Sequence, residues 1–129
     1  MITNGNVTRF AVGISSGTTN TTITQITVGQ NTGDGIDLGS SSTISDTSAL
    51  QNGGIGITMA GGASAINVNA EYNVGDGIDI QFDETLINTV ADHNGGYGIF
   101  STGTQNNITQ SEANYNAAGG LSLRVAATR

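Results

Sequence analysis

Lysine, cysteine, proline and tryptophan are all absent from the 129 residues. Without cysteine there is no disulfide framework, and the redox compartment is left open. Positive charge is scarce: Arg9, Arg124 and Arg129 are the only cationic residues, against ten carboxylates, for a formal net charge of −7. All three lie near the ends, so no basic stripe exists for nucleic acid and no basic patch for an anionic membrane surface. Polyanionic sugars such as polyuronates are repelled as well unless a cation bridges the charges. No stretch approaches the ~18 apolar residues of a membrane span, and the opening Met1-Ile2-Thr3-Asn4 lacks the features of a signal peptide.

What the chain has is glycine, 20 of them, and they are periodic. The segments NTGDGIDL (31–38), NGGIGITM (52–59), NVGDGIDI (73–80), NGGYGIFS (94–101) and NAAGGLSL (116–123) share the pattern N-x-[GA]-x-G-[IL]. A worn copy ends in Gly13-Ile14. The glycine preceding each Ile or Leu falls at 13, 35, 56, 77, 98 and 120, so the steps are 22, 21, 21, 21 and 22. A fixed period of this length marks a repeat architecture and argues against a disordered glycine-rich chain.

Apolar residues keep fixed offsets from these glycines. One column is Ile14, Ile36, Ile57, Ile78, Ile99 and Leu121; two residues on stand Ser16, Leu38, Met59, Ile80, Ser101 and Leu123. The in–out alternation is that of strands. Small residues (Val28, Ala49, Ala70, Ala91, Ala113) form a second column, and Ile23, Ile44, Ile66, Ile87 and Ile108 are expected to form a third. Three short strands per coil, separated by turns and stacked on their equivalents, make a parallel β-helix. The step flexes between 21 and 22 and lacks a strict hexapeptide pattern, which points to the right-handed form. About six coils at ~4.8 Å give a rod roughly 29 Å long. Residues 1–129 read as a single repeat unit with degenerate first (1–22) and last (117–129) coils, either a segment of a larger β-helix or a minimal solenoid. Uncovered end coils predict end-to-end self-association or adjoining coils as partners.

Asn31, Asn52, Asn73, Asn94 and Asn116 precede the glycine by four residues. A stacked amide donates to and accepts from its equivalent one rung away, so the column predicts an asparagine ladder. Asparagine also tolerates a left-handed backbone, which places the tight turn at the same residue. Arg9 occupies this position by count, and the ladder is expected to stop there.

Together, the repeated N-x-G-x-G-I, the Asn column and the coil length resemble the pectin-lyase-like superfamily of right-handed β-helices over roughly residues 23–123. The nearest likeness is to coils of alginate C5-epimerases and carbohydrate-binding β-helix proteins. The resemblance implies a secreted or extracellular protein that contacts polysaccharide. Fold alone does not carry the chemistry.

Two groups of residues remain to be read for chemistry. Asp34, Asp37, Asp76, Asp79, Asp83 and Glu84 form an acidic set; it reads foremost as a solvated face, with calcium on Asp34, Asp37, Asp76 and Asp79 as the cofactor alternative. Asp37 and Asp79, two coils apart at ~10 Å, are far for a hydrolytic pair. Tyr72, His93 and Tyr115 share a column above Gln30 and Gln51, with Glu71 and Asp92 alongside. By resemblance, His93, Tyr72, Tyr115 and Asp92 are the catalytic candidates of an epimerase- or lyase-type site. The epimerase signature is Asp-Pro-His, however, and Asp92-His93 are adjacent; nor is there a mid-chain cation to neutralise a uronate carboxylate. A stacked aromatic column that stiffens the turn is the simpler reading. Phe82, Tyr97 and Phe100 are further rings for sugar stacking. The function expected is therefore a non-catalytic structural or binding β-helix in contact with carbohydrate, the alternative being a polysaccharide-modifying enzyme or a segment of one.

Overall fold

The computed structural model describes residues 1–124. Twelve strands follow in order: β1 (Ile2–Thr8), β2 (Ile14–Ser16), β3 (Thr22–Gly29), β4 (Ile36–Leu38), β5 (Thr43–Leu50), β6 (Ile57–Met59), β7 (Ser64–Glu71), β8 (Ile78–Ile80), β9 (Thr85–Ile87), β10 (Tyr97–Ser101), β11 (Asn107–Thr109) and β12 (Gly119–Leu123). They form two parallel six-stranded sheets, β1-β3-β5-β7-β9-β11 and β2-β4-β6-β8-β10-β12. The chain alternates between the sheets and climbs one rung per circuit. This is an all-β right-handed parallel β-helix of six coils.

The Gly-Ile column stacks as the period requires, Ile14 on Ile36, Ile57, Ile78 and Ile99 in one ladder. Leu38, Met59 and Ile80 stack beside it, and all three are buried. The Val28–Ala49–Ala70–Ala91 column closes the opposite wall of the core. Leu121 and Leu123 lie in the last described coil and are 51% and 59% exposed.

Three expectations need correction. First, there are two sheets of strands rather than three, because the pieces carrying the third apolar column and the small-residue column lie on one sheet and fuse into single eight-residue strands in β3, β5 and β7. Between Ile23 and Val28 the chain makes no turn; a single residue, Gln25, adopts φ 56° and bends one continuous strand. Asp46 and Asn67 do the same in β5 and β7, whereas the left-handed Asn88 and Gln110 directly follow the short strands β9 and β11. Second, rung-to-rung pairing places the third apolar column differently: it runs Ile23, Ile44, Ala65, Leu86 and Ile108. Ile44 faces Ala65, and Ala65 faces Leu86, so Ala65 and Leu86 are the buried members. Ile66 and Ile87 sit one place on, half-exposed. Past the bend a further interior column appears, Ile26, Thr47, Val68 and Thr89. The Thr47 hydroxyl donates to Ser45 O and accepts from Ile26 N–H at 2.8 and 3.3 Å, which satisfies a buried polar group at the bend.

Third, the left-handed residue of the second corner is the one before each ladder asparagine. Gln30, Gln51, Tyr72, His93 and Tyr115 have φ of 54–57°. Arg9, at φ 65°, belongs to this column and not to the ladder. The first-coil turn is one residue shorter, so Phe10 takes the ladder position: its N–H donates to Asn31 Oδ1 at 2.9 Å. A third corner is turned by Asn20, Ser41, Gly62, Asp83 and Gln105. Each coil thus closes through left-handed residues at its corners, among them Asn20, Gly62 and Asp83, residue types for which that conformation costs least.

The ladder itself is continuous. Asn31 Nδ2 donates to Asn52 Oδ1 at 2.9 Å, and the Asn52–Asn73, Asn73–Asn94 and Asn94–Asn116 bonds are each 3.0 Å. Each Oδ1 also accepts from the backbone N–H of the rung below, as Asn94 does from Asn73. Asn31, Asn52, Asn73 and Asn94 are buried. The motif glycine is forced by this ladder, since a Cβ on Gly77 would lie 2.7 Å from Asn94 Nδ2 and 2.6 Å from Gly98 O.

Candidate functional site

The outward face of the short-strand sheet gathers four members of the acidic set, Asp34, Asp37, Asp76 and Asp79, with two rings. On this sheet Asp37, Thr58, Asp79 and Phe100 form one outward column, paired rung to rung. At the turn three residues before each lie Asp34, Ile55, Asp76 and Tyr97. Asp76 and Asp79 therefore stand one rung below Tyr97 and Phe100. The two rings are stacked, with centroids 5.7 Å apart and planes 20° apart. The Arg124 guanidinium lies 5.5 Å over the Phe100 ring. Carboxylates, half-exposed rings and a single cation so share one parallel sheet.

Two of the carboxylates are held by the backbone. Asp34 Oδ1 accepts from Ile55 N–H at 2.8 Å, and Asp76 Oδ1 accepts from Tyr97 N–H at 2.5 Å. The glycines beside them, Gly54 and Gly96, are required: a Cβ on either would run into the Asp34 or Asp76 carboxylate. Asp79 has no such anchor, and its Oδ1 is buried without a hydrogen-bond partner. Burial, then the neighbouring Asp76 carboxylate and more weakly Asp34, push its pKa up to about 7. Near neutral pH Asp79 therefore both donates and accepts, while Asp76 beside it accepts from the backbone. Among the described residues no three His, Cys, Asp or Glu side chains are gathered to hold a metal ion.

Glu84 is no part of this face. It is fully buried where the chain enters β9, and neither carboxylate oxygen has a partner. Burial raises its pKa to about 7, the backbone amides of Gln81 and Glu84 opposing and the Asp83 charge adding. Asp83 turns the third corner in the exposed left-handed position.

Tyr72, His93 and Tyr115 do come together. Tyr72 and His93 stack at 4.9 Å and 18°, His93 and Tyr115 at 5.0 Å and 25°. The rings spend their faces on one another and present edges to solvent, leaving the outer face of Tyr115, which is 81% exposed. Asp92 Oδ1 accepts from Asn114 N–H at 2.6 Å, so this carboxylate holds the corner backbone. Among the described residues the two arginines are Arg9, in the first coil, and Arg124, over Phe100 on the other sheet.

The family model for the right-handed beta helix region matches residues 1–128. The chain belongs to the right-handed β-helix family. No curated protein matches it. Among solved structures this β-helix is similar to the Agl-KA catalytic domain, with a TM-score of 0.60 and 17% identity. That likeness spans 97% of this chain but 26% of the Agl-KA chain, so the chain covers about a quarter of the neighbour's length. At this identity the likeness is one of fold.

The period puts Phe100 in the outward column of Asp37 and Asp79; that Tyr97 stands over Asp76 is the part the column reading leaves out, although Tyr97 is Asp76 plus one period.

Proposed function

We propose that this β-helix is a non-catalytic carbohydrate-binding module whose contact surface is the outward face of the short-strand sheet. The observation that carries the reading is the Tyr97–Phe100 stack directly above Asp76 and Asp79. A sugar ring offers apolar C–H faces and a rim of hydroxyls, and rings beside carboxylates meet both needs. The stacked pair supplies apolar contact area with polar handles nearby. Asp37, Asp76 and Asp79 accept hydroxyl hydrogen bonds, strengthened by charge where ionised. The sheet lets several units of one polymer lie along or across the rungs.

Charge selects the class of sugar. With a net charge of −7 and several carboxylates at the surface itself, a neutral glycan approaches more easily than a polyuronate. Calcium, if it contributes, bridges Asp34, Asp37, Asp76 or Asp79 to the ligand.

One observation favours a second reading, a polysaccharide-modifying enzyme. Asp79 is pushed up to about 7 beside Asp76, and divergent environments of neighbouring carboxyl groups are what acid–base catalysis uses. The Agl-KA neighbour is itself a catalytic domain. Such an enzyme would centre on Asp76 and Asp79 rather than on His93, Tyr72 and Tyr115, where the neighbouring Asp92 carboxylate is engaged by the Asn114 N–H.

The test is a glycan array probed in calcium and in chelator with the native protein and with Phe100→Ala. Binding of neutral glycans lost in Phe100→Ala supports the module. Binding confined to polyuronates, or neutral-glycan binding unchanged by Phe100→Ala, refutes it. Cleavage of a bound glycan, abolished by Asp79→Asn, establishes the enzyme reading instead.

A further inference from the structure

A second surface, on the long-strand sheet, has the opposite character. A cleft of about 340 Å³ runs along the outer corner of the first three coils, within the range of small-molecule sites. Its polar lining is Asn6, Thr8, Arg9, Thr27, Gln30 and Gln51. None of these six is acidic, in a chain with ten carboxylates and three arginines. The cleft therefore holds one of the few cations and excludes every acid.

The corner aims the donors. Arg9, Gln30 and Gln51 occupy successive rungs with φ of 65°, 54° and 56°, so their Cα–Cβ bonds leave the backbone in the same direction, ~4.8 Å apart. Gly29, under them, is buried, and a Cβ there would lie 2.8 Å from Leu50 O. Elsewhere on the long-strand sheet, stacked polar side chains bond to one another. Asn67 donates to Asp46, Asn88 donates to Asn67, and Ser45 donates to Thr24. In the cleft they do not: among the described residues, none of the six side chains makes a hydrogen bond or ion pair within the protein. The guanidinium fork, two primary amides, a third from Asn6 and two hydroxyls are all left for a ligand.

We propose that this cleft binds a small hydroxylated monocarboxylate, of which a single uronic acid unit is the type. Arg9 takes the carboxylate as a bidentate pair. Gln30, Gln51, Asn6, Thr8 and Thr27 take ring hydroxyls. A monoanion fits better than a phosphate because Glu71, directly above Leu50 on the long-strand sheet, and a net charge of −7 oppose a second negative charge. The site is on a different sheet from the glycan-binding face and stands or falls independently of it.

The experiment is NMR titration of the native protein, Arg9→Gln, the Gln30→Ala/Gln51→Ala double variant and Phe100→Ala with glucuronate, glucose, acetate and inorganic phosphate. Glucuronate is expected to bind at least tenfold more tightly than glucose or acetate, with shifts at residues 6–9, 27–30 and 50–51. Binding should weaken with salt, fall at least tenfold in Arg9→Gln and in the double variant, and survive in Phe100→Ala. Dispersed amide spectra confirm that each variant is folded. Phosphate bound as tightly as glucuronate, glucose bound as tightly as glucuronate, or no saturable glucuronate binding in the millimolar range overturns the proposal.

Discussion

Gly56 and Asn73 meet across adjacent coils: a Cβ on Gly56 would stand 2.6 Å from the Asn73 amide nitrogen. The same approach joins Gly35 to Asn52 and Gly77 to Asn94, at 2.7 Å each. The two invariant letters of the repeat are thus one device. The asparagine runs a hydrogen-bonded column up the interior, and the glycine of the coil below leaves room for it.

Gly77→Ala is expected to destabilise by about 1–3 kcal/mol, the cost of overpacking a close-packed interior. Gly17→Ala, where nothing lies within 4 Å of an added Cβ, should change stability by less than about 0.5 kcal/mol. Thermal melts of the two variants check the contrast.

Asn73→Ala should cost ~1–3 kcal/mol, because it leaves Asn52 N–H, Asn52 Nδ2 and Asn94 Oδ1 each short of a buried partner. Asn116→Ala, in a half-buried end rung, should cost less. Equal melting temperatures for the two would remove the ladder from the stability account.

Stability should fall as pH rises from about 4 to 7. Glu84 and Asp79 are raised to about 7 in the folded chain, so between the ordinary carboxyl range and pH 7 the folded state binds more protons than the unfolded state. Stability therefore declines across that window and levels off above it. Glu84→Gln keeps the shape without the buried charge. It should flatten the slope and raise stability at pH 8 by about 1–3 kcal/mol relative to the native chain. Denaturant melts at pH 5 and pH 8 measure both.

His93→Ala opens a gap between Tyr72 and Tyr115 and should cost ~0.5–1.5 kcal/mol per lost ring pair. It should leave glycan binding unchanged. Loss of binding or of turnover on this substitution would return the site to the second corner.

The period alone carried most of the fold. Coil number, the Gly-Ile stack and the asparagine ladder follow from residues repeated at nearly equal steps, since stacking demands like over like, and the handedness follows from the absence of a strict hexapeptide pattern. What the count misses lies where like residues do not sit at equal steps. Ile66 is 22 residues beyond Ile44 while the strands pair 21 apart, so Ile66 and Ile87 read as core where Ala65 and Leu86 are. Gln25 bends a strand without any sequence signature beyond a polar residue. A turn one residue short moved Arg9 out of the ladder column and into the cleft beside Gln30. The charge of Glu84 points to solvent; its burial depends on the packing of the neighbouring coils, which a column count does not contain.

The most direct test of the central claim is residue-resolved NMR during titration with the neutral glycan that binds best on the array. The account predicts saturable shifts at Asp76, Asp79, Tyr97 and Phe100, with the glycan recovered intact. Shifts confined to Tyr72, His93 and Tyr115, or a glycan recovered shortened or epimerised, would contradict it.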